Sequence, residues 1–227
     1  MNKKPKLASA FITNKKMKNV LILGASGAIA QHTIEKLQED DNIHLTLFAR
    51  SANKIKPFEN PSTQIVEGDV LNKKDLDEAL KDQDIVYANL SGPMESLAKT
   101  IVEEMEGSQV DRLVFVTSLG IYNEIPGKFG EWNDRMIGSA LKTYRKAADI
   151  IEASNLDYTI VRPAWLQNDD EVDYETTQKG ENFKGTEVSR KSVGAYIADI
   201  IQHPEKDSKA SVGVNKPGTA GDKPSFY

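Results

Sequence analysis

The stretch LKTYRKAADII, residues 141–151, sets a phenol beside two cations on a segment of helical pattern. A tyrosine can protonate a developing alkoxide when a nearby cation lowers its pKa, so Tyr144 with Arg145 or Lys146 is a candidate acid with a helper. Spacing decides which cation can help. Lys146 lies two positions on, about 200° around a helix, and faces away from the ring. At the fourth position on stands Ala148, not a lysine. Leu141, Tyr144, Arg145 and Ala148 follow the i, i+3, i+4, i+7 pattern that shares one side of a helix, so Arg145 is the cation for Tyr144. A guanidinium with a pKa above ~12 can hold charge there but cannot relay protons. Packing of Tyr144 with its hydroxyl tethered is the competing reading.

A second constellation is GASGAIA, residues 24–30, set between an aliphatic run and an amphipathic one. Gly24 and Gly27 permit a tight turn and let backbone N–H groups approach a pyrophosphate, whose charge sits favourably at a helix N-terminus. Ala25, Ser26, Ala28 and Ile29 complete the loop, and the Ser26 hydroxyl adds a donor. HLTLFAR then ends in Arg50, where an NAD-selective site would carry an acid for the ribose hydroxyls, with Ser51 and Lys54 close behind. An arginine there can pair with a 2′-phosphate, which predicts NADP (NADPH) in preference to NAD. In EGDV, Asp69 and Val70 stand where a carboxylate can accept from an adenine amino group, although Asp69 can equally cap a turn.

The elements that would position these residues alternate from Asn19 onward, as βαβ units and a mostly parallel sheet require. NVLILGA reads as a strand buried on both faces, IAQHTIEKLQED as a helix, and HLTLFAR and QIVEGDV as the next strands. Residues 51–63 read as a loop or short helix. NKKDLDEALKD is a helix with Asn72 as its N-cap, followed by the strand DIVYANL, the helix MESLAKTIVEEMEGSQ and the strand RLVFVTSLG. Ile121–Gly138 has no clear periodicity and reads as a loop, SALKTYRKAADIIEASN as a helix and DYTIVRPAWL as a strand. From Gln167 come polar stretches, the helix SRKSVGAYIADIIQH and an edge strand ASVGVN. The expected class is α/β: a doubly wound, mostly parallel sheet in a single domain, residues 17–227, with a small substrate-side cap mainly in 167–227. Residues 1–16 read as a disordered extension without function.

Composition narrows the chemistry. Hydrophobic residues make up 39% of the 227 and charged residues 28%, with a formal net charge of −5, which disfavours nucleic acid and anionic membranes as partners. Cysteine is absent, and His32, His44 and His203 lack ligand spacing, so neither thiolate chemistry nor a metal site is expected. No apolar run approaches the roughly 20 residues of a membrane helix, and the expected location is cytoplasmic.

LGASGAIA, FAR, EGDV, ANLSG, VFVTSLGIY and LDYTIVRPAWL together resemble the atypical short-chain dehydrogenase/reductase superfamily, in its NmrA-like, NAD(P)H-binding branch. The likeness spans about Met17 to Val214. It implies a Rossmann-type sheet with the cofactor along the carboxyl ends of the strands, over Leu90, Ser91, Gly92, Thr117 and Ser118, and with Pro163, Ala164 and Trp165 next to the nicotinamide. It also implies a serine after the fifth strand, which Ser118 matches, and a Tyr-x-x-x-Lys helix, from which this chain departs. Aligned on AAD and YTIVRP, Leu141 takes the tyrosine's place and Arg145 the lysine's. Tyr122, on the loop after Ser118, is a second candidate acid. Members include reductases of quinones, flavins and ketones, epimerase-like enzymes and redox-sensing regulators. A small-molecule substrate is therefore expected in a monomer or homodimer, with a protein partner if the chain is a sensor. Because a quinone or flavin can take its proton from water, the missing dyad weakens a ketone substrate most.

Overall fold

The structure is a computed structural model and describes residues 17–227. The expected extension, residues 1–16, lies outside the described residues. Lys18–Leu23 (β1), Ile43–Ala49 (β2), Thr63–Glu67 (β3), Ile85–Ala88 (β4), Arg112–Val116 (β5) and Asp157–Pro163 (β6) are joined by helices Ala28–Leu37 (α1), Lys73–Leu80 (α2), Met94–Glu106 (α3) and Gly127–Glu152 (α4). Then come Trp165–Gln167 (β7), Glu175–Gln178 (β8), Glu187–Ser189 (β9), Arg190–Gln202 (α5) and Ala210–Asn215 (β10). The main sheet has eight strands in the order β3-β2-β1-β4-β5-β6-β10-β8, and β7 pairs with β9 beside it. All neighbours in the main sheet are parallel except β8, which runs antiparallel to β10.

Strands β4 and β5 are buried at every position, as a parallel sheet covered on both faces demands. On one face α1 packs against α5 so closely that a side chain at Gly194 would meet the backbone of Thr33. Leu76, Leu97, Ile101, Leu141 and Ile151 of α2, α3 and α4 fill the other face. Asn72 caps α2, its side chain accepting from the Lys74 N–H at 3.2 Å. Because β2 and β4 flank β1 on opposite sides, the strand order reverses there, and the crevice above their carboxyl ends is where such sheets receive ligands.

Three expectations are corrected. The segment 121–138 is a loop only as far as Pro126, because α4 begins at Gly127. Phe129, Asn133, Ile137 and Leu141 recur every four residues on its inner side, a period interrupted to the eye by Gly130 and Gly138. Nor is ASVGVN an edge strand: β10 lies inside the sheet between β6 and β8, and the edge is the polar strand β8, ETTQ, which straddles the start of TTQKGENFKG. DYTIVRPAWL divides at Ala164 into β6, in the main sheet, and β7, outside it. The segment 51–63 forms two short 3-10 turns, Ala52–Lys54 and Lys56–Phe58.

Candidate functional site

A cleft of about 240 Å³ opens above β1 and β4. Gly24, Ser26, Gly27, Arg50, Ser51, Lys54, Asp69, Val70, Leu90 and Ser91 line it, joined by Asn89, which the sequence did not single out. Gly24 adopts φ +77°, and a Cβ there would lie 2.2 Å from the Asn89 carbonyl oxygen. A Cβ on Gly27 would lie 2.2 Å from Asn89 Nδ2. The close approach of the β4 end to the loop thus requires glycine at 24, where backbone stands in the way, and favours it at 27, where a side-chain end does. Gly27 opens α1 with no side-chain cap and no acid in its first turn, which leaves that helix end electropositive toward the cleft. Arg50 is exposed and has no hydrogen-bonding or ion-pair partner among the described residues. Asp69 does cap a turn, its Oδ1 accepting from the Leu71 N–H at 3.0 Å, while the residue still borders the cleft.

The other residues singled out lie elsewhere. Ala25 and Ile29 are buried beneath the loop, Ala28 is exposed at the start of α1, and Gly92 is exposed at φ +111°. Thr117 turns its hydroxyl to the Val161 carbonyl at 3.3 Å, Pro163 and Ala164 are buried, and Ser118 is half-buried where β5 ends. Tyr144 packs on the α3 side of the sheet, and burial pushes its pKa up. Arg145 turns away from it: its Nε donates to Asp149 at 2.7 Å, its Nη1 to the Ile121 carbonyl at 3.3 Å, and its guanidinium stands 5.1 Å from the Tyr122 ring centroid. The Asp149 hydrogen bond raises the Arg145 pKa further. Tyr122 is also flanked by Arg162 and Lys179 and donates its hydroxyl to Glu152 at 2.8 Å, and burial raises its pKa. Leu141 and Arg145, the positions of the absent dyad, border a second cleft that shares no residue with the first.

The sequence profile of the NAD(P)H-binding family matches residues 24–204. The chain belongs to the NAD(P)H-binding family. As a member it is an atypical short-chain dehydrogenase/reductase-type protein with a Rossmann fold. A Rossmann-fold NAD(P)-binding family protein from Shigella flexneri is 49% identical to it, covering 93% of this chain and 100% of that one at a TM-score of 0.79. A short-chain dehydrogenase/reductase from Veillonella parvula, solved in complex with NADP, is 32% identical over 92% of this chain and 99% of its own, with a TM-score of 0.86. An uncharacterized sugar epimerase of Bacillus subtilis, YhfK, is 24% identical over 207 residues, 84% of this chain and 91% of that protein.

The NAD(P)H-binding family implies a dinucleotide, and the donors present fit one: the uncapped α1 end, the unpartnered Arg50 and the neighbouring Lys54 all favour phosphate. Sequence reasoning missed the residue that anchors the loop after Ser118. Arg162, the arginine of YTIVRP, is 0% exposed. Its guanidinium donates to Glu124, to Ser211 Oγ and O at 3.1 Å each, and to the Thr177 carbonyl at 3.3 Å. Glu124 in turn accepts from the Gly120 and Tyr122 N–H groups at 3.0 and 2.9 Å. One ion pair therefore fixes the loop that follows Ser118. A buried cation inside a strand needs an acid partner, and that was the signal available in the sequence. Trp165 forms an aromatic cluster with Trp132, its indole N–H donating to Asn133 at 2.9 Å.

Proposed function

We propose that the chain is an NADPH-dependent oxidoreductase that reduces a small carbonyl, quinone or flavin-like acceptor. The observation that carries this reading is Arg50: a cation without a partner, with Lys54 beside it, at the position where an NAD-selective site needs an acid. The bound dinucleotide supplies hydride. The Gly24–Gly27 loop and the α1 end hold its pyrophosphate, Arg50 and Lys54 its 2′-phosphate, and the remaining Asp69 carboxylate oxygen accepts from the adenine amino group. Ser118 is the hydroxyl that hydrogen-bonds the acceptor oxygen. With Leu141 at the tyrosine position and Tyr144 packed away, quinones and flavins are favoured over ketones, because a reduced quinone or flavin draws its proton from water. No helix among the described residues is long and apolar enough to cross a membrane, and a cytoplasmic small-molecule role belongs to the same reading.

The test is a fluorescence titration with NADPH and with NADH, followed by NADPH oxidation against a panel of quinones, flavins and small carbonyls. Tight NADPH binding with turnover of a quinone or flavin supports the proposal. No NADPH binding overturns it, and tight binding without turnover on any acceptor replaces it with a regulator of the NmrA type, reading redox state through a protein partner.

A further inference from the structure

The chain has two tryptophans, and they stand in one cluster beyond the carboxyl end of β6. Trp132 comes from α4 and Trp165 from β7, with ring centroids 4.8 Å apart and planes inclined at 59°. Asn133 is wholly buried and holds the Trp165 indole N–H, which fixes that ring. Both indoles pack against the core, Trp132 also against Phe129, yet each keeps part of its surface open. What covers them is Tyr227, edge-on to each with centroids 5.1 Å away, and itself 50% exposed.

Tyr227 is held there by a contact at its base. Ser225 donates its N–H and its hydroxyl to the two carboxylate oxygens of Glu187, at 2.6 and 2.8 Å, and Glu187 is only 8% exposed. Before this clamp, residues 220–223 are exposed, and before those Thr219 is anchored to Thr186. The segment is therefore anchored at both ends, with an exposed span between them that carries the surface Lys128–Asp222 ion pair at 3.3 Å. The cluster also neighbours Ser118: the Leu119 N–H, next to it in the chain, donates to the Pro163 carbonyl at 3.2 Å, two residues before Trp165.

We propose that Trp132 and Trp165 form the platform for a planar aromatic acceptor, and that Tyr227 occupies it until the acceptor displaces the ring. The placing of the platform at the reacting end rests on the oxidoreductase reading. Indole faces attract flat π systems by stacking, and a phenol already edge-on to both shows that the surface takes an aromatic guest. A half-exposed occupant is a weak competitor, so its removal leaves the platform intact and more accessible.

Because both emitting residues lie in the platform, tryptophan fluorescence reads it directly. The protein is titrated with menadione, a flat naphthoquinone, as wild type, Tyr227→Ala and Trp165→Phe, and NADPH binding is measured on the same proteins. The expected result is quenching, with about 5-fold tighter menadione binding in Tyr227→Ala and about 10-fold weaker binding in Trp165→Phe. Unchanged or weaker binding in Tyr227→Ala overturns the proposal, as does undiminished binding in Trp165→Phe. Should Trp165→Phe fail to fold, Ser225→Ala takes its place: tighter binding supports the platform and unchanged binding overturns it. If NADPH binds but the variants behave as wild type, only this inference falls. If the platform responds as expected and NADPH does not bind, the oxidoreductase reading falls and the platform stands.

Discussion

At the scale of single residues, Gly24 and Gly27 answer to the same neighbour in different ways. Gly24 faces the Asn89 backbone and holds a left-handed φ, whereas Gly27 faces the end of the Asn89 side chain. Gly24→Ala is therefore expected to cost more than ~3 kcal/mol and to resist rescue, since backbone cannot retreat. Gly27→Ala is expected to cost about 1–2 kcal/mol and to recover most of it when combined with Asn89→Ala. Urea midpoints of the three variants check both statements. Arg50→Asp is expected to weaken NADPH binding by roughly 30-fold and to leave NADH binding equal or better, read by titration with each nucleotide. Tyr144→Phe is expected to keep turnover within about 2-fold, because nothing in its packing gives the phenol a path to the cleft. The glycines and Arg50 were legible because each carries a backbone or charge rule of its own. Asn89 was not, since its role exists only once β4 has been laid against β1.

Among the elements, the loop from Ser118 to Pro126 is held by one buried pair. Glu124→Gln leaves the Arg162 guanidinium wholly buried without its counter-charge and is expected to cost about 3 kcal/mol in urea unfolding. The same change should reduce turnover on any acceptor that relies on Ser118, with NADPH affinity retained, which a comparison of kcat with the nucleotide Kd would reveal. Strand spacing and the Asn72 cap made most of the sheet and α2 readable in advance. The first three turns of α4 escaped because Gly130 lowers helix propensity where the chain needs it for close packing: a Cβ at that position would lie 2.3 Å from the Ile125 carbonyl oxygen. Strand β8 escaped for another reason. Its residues, ETTQ, are polar, and only pairing with β10 makes them a strand.

For the molecule as a whole, several phenols are wholly or partly buried, on both faces of the sheet. Burial raises the pKa of Tyr87, Tyr122, Tyr144 and Tyr196 above the ordinary tyrosine value of 10.0. Above that pH the unfolded chain releases phenolic protons that the folded chain keeps, so the folded state binds more protons and stability falls as pH rises. The contribution is fully present below pH ~10 and is lost as pH climbs through the folded values. Thermal melts followed by circular dichroism should show a plateau in Tm below that point and a steady decline beyond it. The position of β10 has a consequence of a different kind. On the ribosome, strands β1 to β6 and helix α5 emerge before residue 210, so the nascent sheet displays the open hydrogen-bonding rim of β6 until Ala210–Asn215 arrives. At roughly 5–20 residues per second that interval is short. A messenger stalled or cut in this stretch would release a chain primed to pair with its sisters, and quality control by chaperones should matter most there.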